Sequence, residues 1–213
     1  MIKAIIFDSD DTILDFSSVA CPVIQDVAGR MNLCVPEDDE INKLWGLPLG
    51  LFLQKLWDDV NVSEFEKLYY SLIEKQEFCE IKGTKVTLHA LSSRYPLGVL
   101  TTKPEYLMYD NFKSAGFDLN VFKFLHGAEH SPHRKPDPKV FDNSLAILNI
   151  LPENVLYVGD SMFDLEAALD AGINFVAVET GFYKKKDFIH KGLEPENIIE
   201  SVKHLPLWLD KMT

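Results

Sequence analysis

The sequence of 213 residues contains few cysteines and no long hydrophobic run. Its three cysteines, Cys21, Cys34 and Cys79, are odd in number, widely spaced and free of any CxxC pair. Such a set is not typical of a disulfide framework or a zinc site, so we expect a reducing, cytoplasmic location. No apolar run approaches the roughly 18 residues of a membrane-spanning helix. The first residues do not resemble a signal peptide either, because their apolar stretch is short and is followed at once by Asp8.

Positive charge is also scarce. Twenty-one Lys and Arg residues against 33 Asp and Glu residues give a net charge of −12. Nucleic acid binding needs a basic face that displaces counterions, so we exclude nucleic acid as the main partner, and we expect no membrane partner. An anionic small molecule would need a metal ion or local positive charge to overcome this field. Hydrophobic residues make up 46% of the chain, which is enough for a sizeable folded core.

Short apolar runs alternate with helical patterns over much of the chain. The runs predict strands at residues 3–7, 97–100, 155–158 and 174–178. The periodic segments between them predict helices at residues 105–115, 138–149 and 162–171. Strands alternating with helices indicate βαβ units. We therefore predict an α/β fold with a Rossmann-like, doubly wound parallel sheet.

One long segment interrupts the alternation. Residues 15–80 show helical periodicity, with a break at residues 44–49, and no convincing strand. The segment is either a set of ordinary core helices or an inserted helical domain. Its length of about 65 residues exceeds a normal βα crossover and favours the insertion. We therefore predict a core domain at residues 1–14 and 83–213, and a small α-helical cap domain at residues 15–82, called the helical insert below.

Polar side chains collect where the predicted strands end. Ligands of open α/β sheets bind at the carboxyl ends of the strands. The candidates there are carboxylates, a hydroxyl and a lysine: Asp8, Asp10, Thr101, Lys135, Asp160 and Asp164. Several carboxylates so close together would repel one another without a cation, and oxygen ligands favour Mg²⁺ over zinc. One carboxylate could then attack phosphorus while a second, two residues on, protonates the leaving oxygen and activates water.

Four motifs in this order resemble those of the haloacid dehalogenase-like hydrolase superfamily. The segment Asp8-Ser9-Asp10-Asp11-Thr12 is similar to the first motif, Thr101 to the second and Lys135 to the third. The segment Gly159-Asp160-Ser161-Met162-Phe163-Asp164 is similar to the fourth. The helical insert, with its Gly46-Leu47-Pro48-Leu49 segment, resembles the small helical cap of the phosphoglycolate phosphatase and β-phosphoglucomutase branch. The resemblance covers essentially the whole chain.

The resemblance implies specific roles. Asp8 is the expected nucleophile, and Asp10 is the general acid/base. Thr101 and Lys135 are expected to hold the transferring phosphoryl group. The resemblance further implies a Mg²⁺ site and a set of substrate contacts. The expected metal residues are Asp8, Asp10 through its carbonyl, Asp160 and Asp164, with Asp164 orienting either a metal-bound water or the lysine. The expected substrate-binding residues are Ser9, Asp11, Thr102 and Gly46.

Two of these positions depart from the family pattern. Asp11 stands where Gly is common, and Asp tolerates the left-handed backbone that such a turn requires. Thr102 stands where Asn is common, so it keeps a hydrogen-bonding side chain of a different shape.

The resemblance implies a Mg²⁺-dependent phosphatase that acts on a small phosphate monoester, such as phosphoglycolate, through an aspartyl phosphate. The expected partner is therefore a small phosphorylated metabolite; nothing indicates the oligomeric state. A β-phosphoglucomutase-like mutase shares every catalytic residue and remains an alternative. A 2-haloacid dehalogenase is less favoured because its relatives lack the second aspartate, here Asp10. A non-catalytic binding protein would be expected to have lost Asp8 or Lys135.

Overall fold

A computed structural model describes residues 1–45 and 47–212 of the chain. Its strands are β1 (Ala4–Phe7), β2 (Leu14–Asp15), β3 (Cys79–Glu80), β4 (Leu97–Leu100), β5 (Phe122–His126), β6 (Val155–Gly159), β7 (Asn174–Val178) and β8 (Ile198–Ile199). Six of them form one parallel sheet in the order β5-β4-β1-β6-β7-β8. β1 therefore lies in the middle of the sheet, with β4 on one side and β6 on the other.

The helices mostly follow the predicted pattern. They are α1 (Ser17–Arg30), α2 (Asp38–Asn42), α3 (Leu49–Leu56), α4 (Val62–Ile73), α5 (Thr84–Ser92), α6 (Glu105–Ser114), α7 (Asp142–Leu148), α8 (Met162–Asp170), α9 (Lys185–His190) and α10 (Leu205–Lys211). The helix predicted at residues 138–149 instead begins as a tight 3₁₀ turn over Pro138–Phe141 before α7. Asp137 accepts a hydrogen bond from the Lys139 amide at this start, and 3₁₀ turns are frequent at helix N-termini.

Both faces of the parallel sheet are buried. Ile5 and Phe7 of β1 pack into one apolar cluster, whereas Ala4 and Ile6 pack into a second cluster on the other face. α5 and α10 contribute to the first cluster, and α8 contributes to the second. A strand covered on both sides has no polar face, which explains why β1 is a continuous apolar run. The predicted α/β fold with a doubly wound parallel sheet is confirmed.

The helical insert is attached to the sheet through a small antiparallel ribbon. β2 pairs with β3, with Leu14 opposite Glu80 and Asp15 opposite Cys79. Helices α1 to α4 all lie between these two strands, and the predicted break falls between α2 and α3. The first apolar cluster continues from the sheet into these helices through Phe52 and other buried side chains. Among the described residues, no helix has both the length and the apolarity needed to cross a membrane.

Candidate active site

An ion triad lies just beyond the carboxyl end of β1. Asp8 follows the last residue of this strand, and its Oδ1 accepts a hydrogen bond of 2.7 Å from Lys135 Nζ. The same ammonium group donates to Asp164 Oδ1 at 2.6 Å. All three side chains are buried. Because a buried charge needs close partners, the triad fixes the Asp8 carboxylate in one orientation.

The electrostatics of the triad show more negative charge than the lysine can balance. Burial raises the pKa of Asp8 to about 7, even though Lys135 lowers it. Burial disfavours the charge of Lys135, but Asp164 and Asp8 together raise its pKa above the usual value. Burial, with Asp164 nearby, also raises the pKa of Asp160 well above its usual range. An additional cation would therefore favour the charged form of these carboxyl groups.

The carboxylates have the chemistry that a hard divalent cation requires. One oxygen each of Asp8, Asp160 and Asp164 lies within 4.8 Å of the others. Asp160 Oδ1 accepts a hydrogen bond from Thr12 Oγ1 at 3.1 Å. Its Oδ2 lies so close to Gly181 that a Cβ on this glycine would be 1.9 Å away. Oxygen ligands of this kind fit Mg²⁺.

Asp164 differs from the other two carboxylates because both of its oxygens already accept hydrogen bonds. Oδ1 accepts from Lys135 and from the Tyr157 hydroxyl, at 2.6 Å and 2.9 Å. Oδ2 accepts from the amide and the hydroxyl of Ser161, at 3.1 Å and 2.5 Å. These contacts suit a side chain that positions Lys135 more than one that binds a metal directly. Asp8 and Asp160 are the better candidates for direct ligands.

Asp10 lies two residues after Asp8, and its side chain is 26% exposed. Its Oδ1 accepts a hydrogen bond of 2.7 Å from Lys103 Nζ. The Lys103 ammonium also lies 3.6 Å from the centre of the Phe16 ring. Burial lowers the pKa of Lys103, and the Asp10 carboxylate opposes that shift. Asp10 is thus a partly exposed carboxylate held by a buried lysine.

Thr101, Thr102 and Asp11 also border the cavity above the triad. Thr101 Oγ1 accepts a hydrogen bond from the Lys103 amide at 3.3 Å. Asp11 has a φ of 55°, as the sequence argument expected for this turn. Its Oδ1 accepts from the amides of Phe16 and Ser17, so this carboxylate stabilises the start of α1.

Among the predicted substrate contacts, Ser9 is not one of the described residues that line the cavity. Ser9 is fully buried, and its hydroxyl donates to Asp10 Oδ1 at 3.2 Å. Its side chain therefore supports Asp10 and does not face the cavity. Gly46 lies outside the described residues.

Sequence reasoning missed two residues of the site. The contact of Lys103 with Asp10 joins residues 93 positions apart, so no local pattern indicates it. Tyr157 was read only as a strand residue. The structure puts its hydroxyl 3.1 Å from Lys135 Nζ. A tyrosine inside an aliphatic buried strand is a usable signal, since its buried hydroxyl needs a partner.

The cavity extends from these carboxylates towards the helical insert and has a volume of about 180 Å³. Its wall on the side of the insert is apolar and aromatic, with Trp45, Leu49, Phe52 and Tyr70 among the lining residues. The Trp45 and Phe52 rings stack with their centres 5.4 Å apart. The cavity is therefore lined both by carboxylates and by aromatic rings of the helical insert.

Known proteins are similar to this chain over most of its length. The N-acetylmuramic acid 6-phosphate phosphatase of Pseudomonas putida is 26% identical over 194 residues, covering 87% of this chain and 86% of that protein. The phosphoglycolate phosphatase of Rhodobacter capsulatus is 25% identical over 195 residues, covering 86% of this chain and 87% of that protein. A solved haloacid dehalogenase-like family hydrolase from Streptococcus pneumoniae superimposes with a TM-score of 0.85 at 25% identity, covering 98% of each chain.

The family itself is identified by a match that spans most of the sequence. The sequence model described as haloacid dehalogenase-like hydrolase matches residues 5–178. This range includes all four motifs, from Asp8 to Asp164, and most of the parallel sheet. The resemblance inferred from the motifs is thereby confirmed, and the chain belongs to the haloacid dehalogenase-like hydrolase family.

Proposed function

We propose that this protein is a Mg²⁺-dependent phosphatase that hydrolyses a small phosphate monoester through an aspartyl phosphate on Asp8. Family membership and the phosphatase names of its relatives support the phosphatase class. The observation that carries the proposal is the buried contact of 2.7 Å between Asp8 and Lys135, with Asp10 two residues on at the same cavity. A held carboxylate, a cation and a second carboxylate are the groups that this reaction needs.

In the first step, an Asp8 carboxylate oxygen attacks the phosphorus atom. The new Asp8–phosphoryl bond forms as the bond between phosphorus and the alcohol oxygen breaks. Protonated Asp10 gives its proton to that leaving oxygen, so the product leaves as a neutral alcohol. Lys135 and Thr101 are suited to bind the phosphoryl oxygens while this charge develops.

In the second step, Asp10 accepts a proton from water as the water oxygen attacks phosphorus. The Asp8–phosphoryl bond breaks, inorganic phosphate leaves, and both carboxylates return to their starting states. Lys103 holds Asp10 at the cavity during both proton transfers. Asp164 holds Lys135 towards Asp8 at the same time.

Asp8, Asp160 and the Asp10 carbonyl would hold Mg²⁺, with Asp164 positioning the lysine beside them. When bound, the ion would offset the negative charge of the carboxylates and of the phosphate ester. The raised pKa values of Asp8 and Asp160 support a cation at this place. We propose these roles for Asp8, Asp10, Asp160 and Asp164 together.

The proposal also includes the domain division. The core would comprise residues 1–14 and 83–213, and the cap would comprise residues 15–82. The pairing of β2 with β3 at the two ends of the insert supports this division. We also predict a cytoplasmic location. The relatives are named for different phosphate esters, so the proposal specifies the substrate only as a small phosphate monoester.

A phosphate-release screen tests the proposal. Purified protein is assayed with sugar phosphates, nucleotides, phosphoglycolate and pyrophosphate in the presence of Mg²⁺. We expect turnover of at least one small monoester, loss of that turnover in EDTA, and recovery on adding Mg²⁺. Activity that survives excess chelator would contradict the metal role. A mutase would instead transfer the phosphoryl group to a sugar phosphate faster than to water, and product analysis separates these outcomes.

A further inference from the structure

The two cationic side chains among the described residues that line the cavity already have carboxylate partners. Lys135 contacts Asp8 and Asp164 at 2.7 Å and 2.6 Å. Lys103 contacts Asp10 at 2.7 Å and lies over the Phe16 ring. Four carboxylates line the same cavity, namely Asp8, Asp10, Asp11 and Asp160. A second negative group on a substrate would therefore find no free cation after the phosphate is bound.

The part of the cavity beyond the carboxylates has a different character. Phe16 packs edge-on against Trp45 at 5.8 Å between ring centres, and Trp45 stacks on Phe52. Tyr69 and Tyr70 of α4 form another aromatic pair at 5.5 Å. These rings come from the helical insert and line the same cavity as the carboxylates. The leaving group of a bound ester would lie against this wall, since its phosphate must face Asp8.

The side chains of this wall carry no charge. Trp45, Phe52, Tyr69 and Tyr70 are all neutral and line the cavity. Aromatic faces suit an uncharged group, because a carboxylate there would lose its hydration without gaining a counterion.

Resting on the proposed phosphatase activity, we infer that the substrate is a phosphate monoester of an uncharged alcohol with an apolar face, such as a ring. An ester whose alcohol carries a carboxylate, such as phosphoglycolate, is disfavoured. The aromatic wall stabilises the apolar face by burying it, whereas the surrounding carboxylates repel a second anion. The cavity of about 180 Å³ limits the alcohol to a small one. Specificity therefore comes from the helical insert, and catalysis comes from the sheet.

A series of four esters of the form X–CH₂–O–phosphate isolates this effect. The group X is carboxylate in phosphoglycolate, carboxamide in phosphoglycolamide, methyl in ethyl phosphate and phenyl in benzyl phosphate. The carboxylate and carboxamide esters are nearly equal in size and differ in charge. We expect kcat/KM for the carboxamide to exceed that for the carboxylate by about tenfold or more. Benzyl phosphate should exceed ethyl phosphate by a similar factor, because its ring is buried.

A matched pair of variants assigns the preference to the cavity wall. Leu49 lines the cavity near the start of α3, whereas Leu51 of the same helix is 45% exposed and does not line it. Leu49→Arg supplies the missing cation and should shift the carboxylate-to-carboxamide ratio of kcat/KM about tenfold towards the carboxylate. Leu51→Arg makes the same substitution on the surface and should leave the wild-type ratio unchanged.

The outcomes separate this inference from the proposed function. If the wild type cleaves phosphoglycolate as well as phosphoglycolamide and benzyl phosphate, the inference is overturned while the phosphatase proposal stands. Equal ratios in Leu49→Arg and Leu51→Arg would also overturn it, and the wild-type series decides alone if Leu49→Arg does not fold. If none of the four esters is hydrolysed while the phosphate-release screen finds turnover of another monoester, the inference is overturned and the phosphatase proposal stands. If a folded protein with Mg²⁺ also turns over no monoester of the screen, the phosphatase proposal fails and the inference fails with it.

Discussion

At the scale of single residues, Lys103 links the Asp10 carboxylate to the helical insert. Its ammonium is within 2.7 Å of Asp10 Oδ1 and lies against the face of Phe16, which follows β2. Reorienting the Asn111 amide would allow a third contact of 2.9 Å with the same ammonium. A buried cation with these contacts holds the Asp10 carboxylate in place and also contacts a side chain of the helical insert.

We predict that Lys103→Met lowers kcat by about tenfold or more. The methionine keeps most of the apolar stem but removes the charge that holds Asp10, and general acid/base catalysis depends on that position. Steady-state kinetics on the best small ester measure the effect. Lys113→Met, at an exposed site on α6, serves as the control and should retain wild-type kcat. A wild-type kcat for Lys103→Met would show that Asp10 needs no such support.

We also predict that His126 makes the free energy of unfolding depend on pH. Burial, together with the neighbouring His130, lowers the pKa of His126 from 6.5 to about 4. Between these values the unfolded chain binds a proton that the folded chain does not, so stability falls as pH falls from about 6.5 to 4. The loss should be roughly 3 kcal/mol. The free energy of unfolding, measured by denaturant titration across this range, should fall less steeply in His126→Gln. Exposed His89 is the control, and an identical slope in His126→Gln and His89→Gln would contradict this account.

At the scale of secondary-structure elements, α8 connects helix capping to the active site. Ser161 Oγ accepts a hydrogen bond from the Asp164 amide at 3.2 Å, and Asp164 Oδ2 accepts from the Ser161 amide at 3.1 Å. This reciprocal pair is a capping box. The carboxylate that completes the cap also holds Lys135, so one side chain serves both the helix and the ion triad.

We predict that Ser161→Ala lowers the free energy of unfolding by about 1 kcal/mol, the usual value of an N-cap side chain. Chemical denaturation measures this change. Ser161→Thr keeps a hydroxyl and should recover most of the lost stability. If Ser161→Ala were as stable as the wild type, the capping contact would have no net energetic value.

The strands that the sequence predicts well are those in which all residues, or all but the first, are buried. The predicted bounds of β4 and β7 match the structure, and those of β1 and β6 differ by one residue. β5 was missed because Phe122 is only partly buried and Lys123 is exposed at the edge of the sheet. β2, β3 and β8 have two residues each, too few for any periodic signal. The ribbon of β2 and β3 forms by long-range pairing, which no local pattern encodes.

The residues of the candidate site also fall into those that the sequence predicts and those that it does not. Asp8, Asp10 and Asp160 were predictable because they follow strands whose carboxyl ends meet at one edge. The contacts of Lys103 and Tyr157 depend on side chains that meet only after folding, so strand patterns alone did not predict them. The sequence did not predict the aromatic wall either, because helical periodicity does not distinguish a core aromatic residue from one that lines a cavity.

At the scale of the whole molecule, charge and cavity size favour a small substrate for the proposed phosphatase. The net charge of −12 repels a large polyanion over a wide area, whereas a small ester contacts only the groups that line the cavity. The cavity volume of about 180 Å³ is below the range usual for drug-sized ligands, which also favours a small ester.

We predict that a phosphopeptide is hydrolysed with kcat/KM at least about tenfold below that of the best small ester. Both substrates are compared at the same Mg²⁺ concentration and ionic strength. A clear preference for the peptide would mean that the helical insert leaves the site open to large substrates.

The central claim is that Asp8 carries the phosphoryl group during turnover. Acid quenching within the first turnover, followed by proteolysis and mass spectrometry, locates that group directly, because acyl phosphates persist in acid. We predict a phosphorylated peptide that contains Asp8 in the wild type, and neither this species nor turnover in Asp8→Asn, whose amide is a poor nucleophile. A phosphoryl group on another residue, or full activity in Asp8→Asn, would contradict the account.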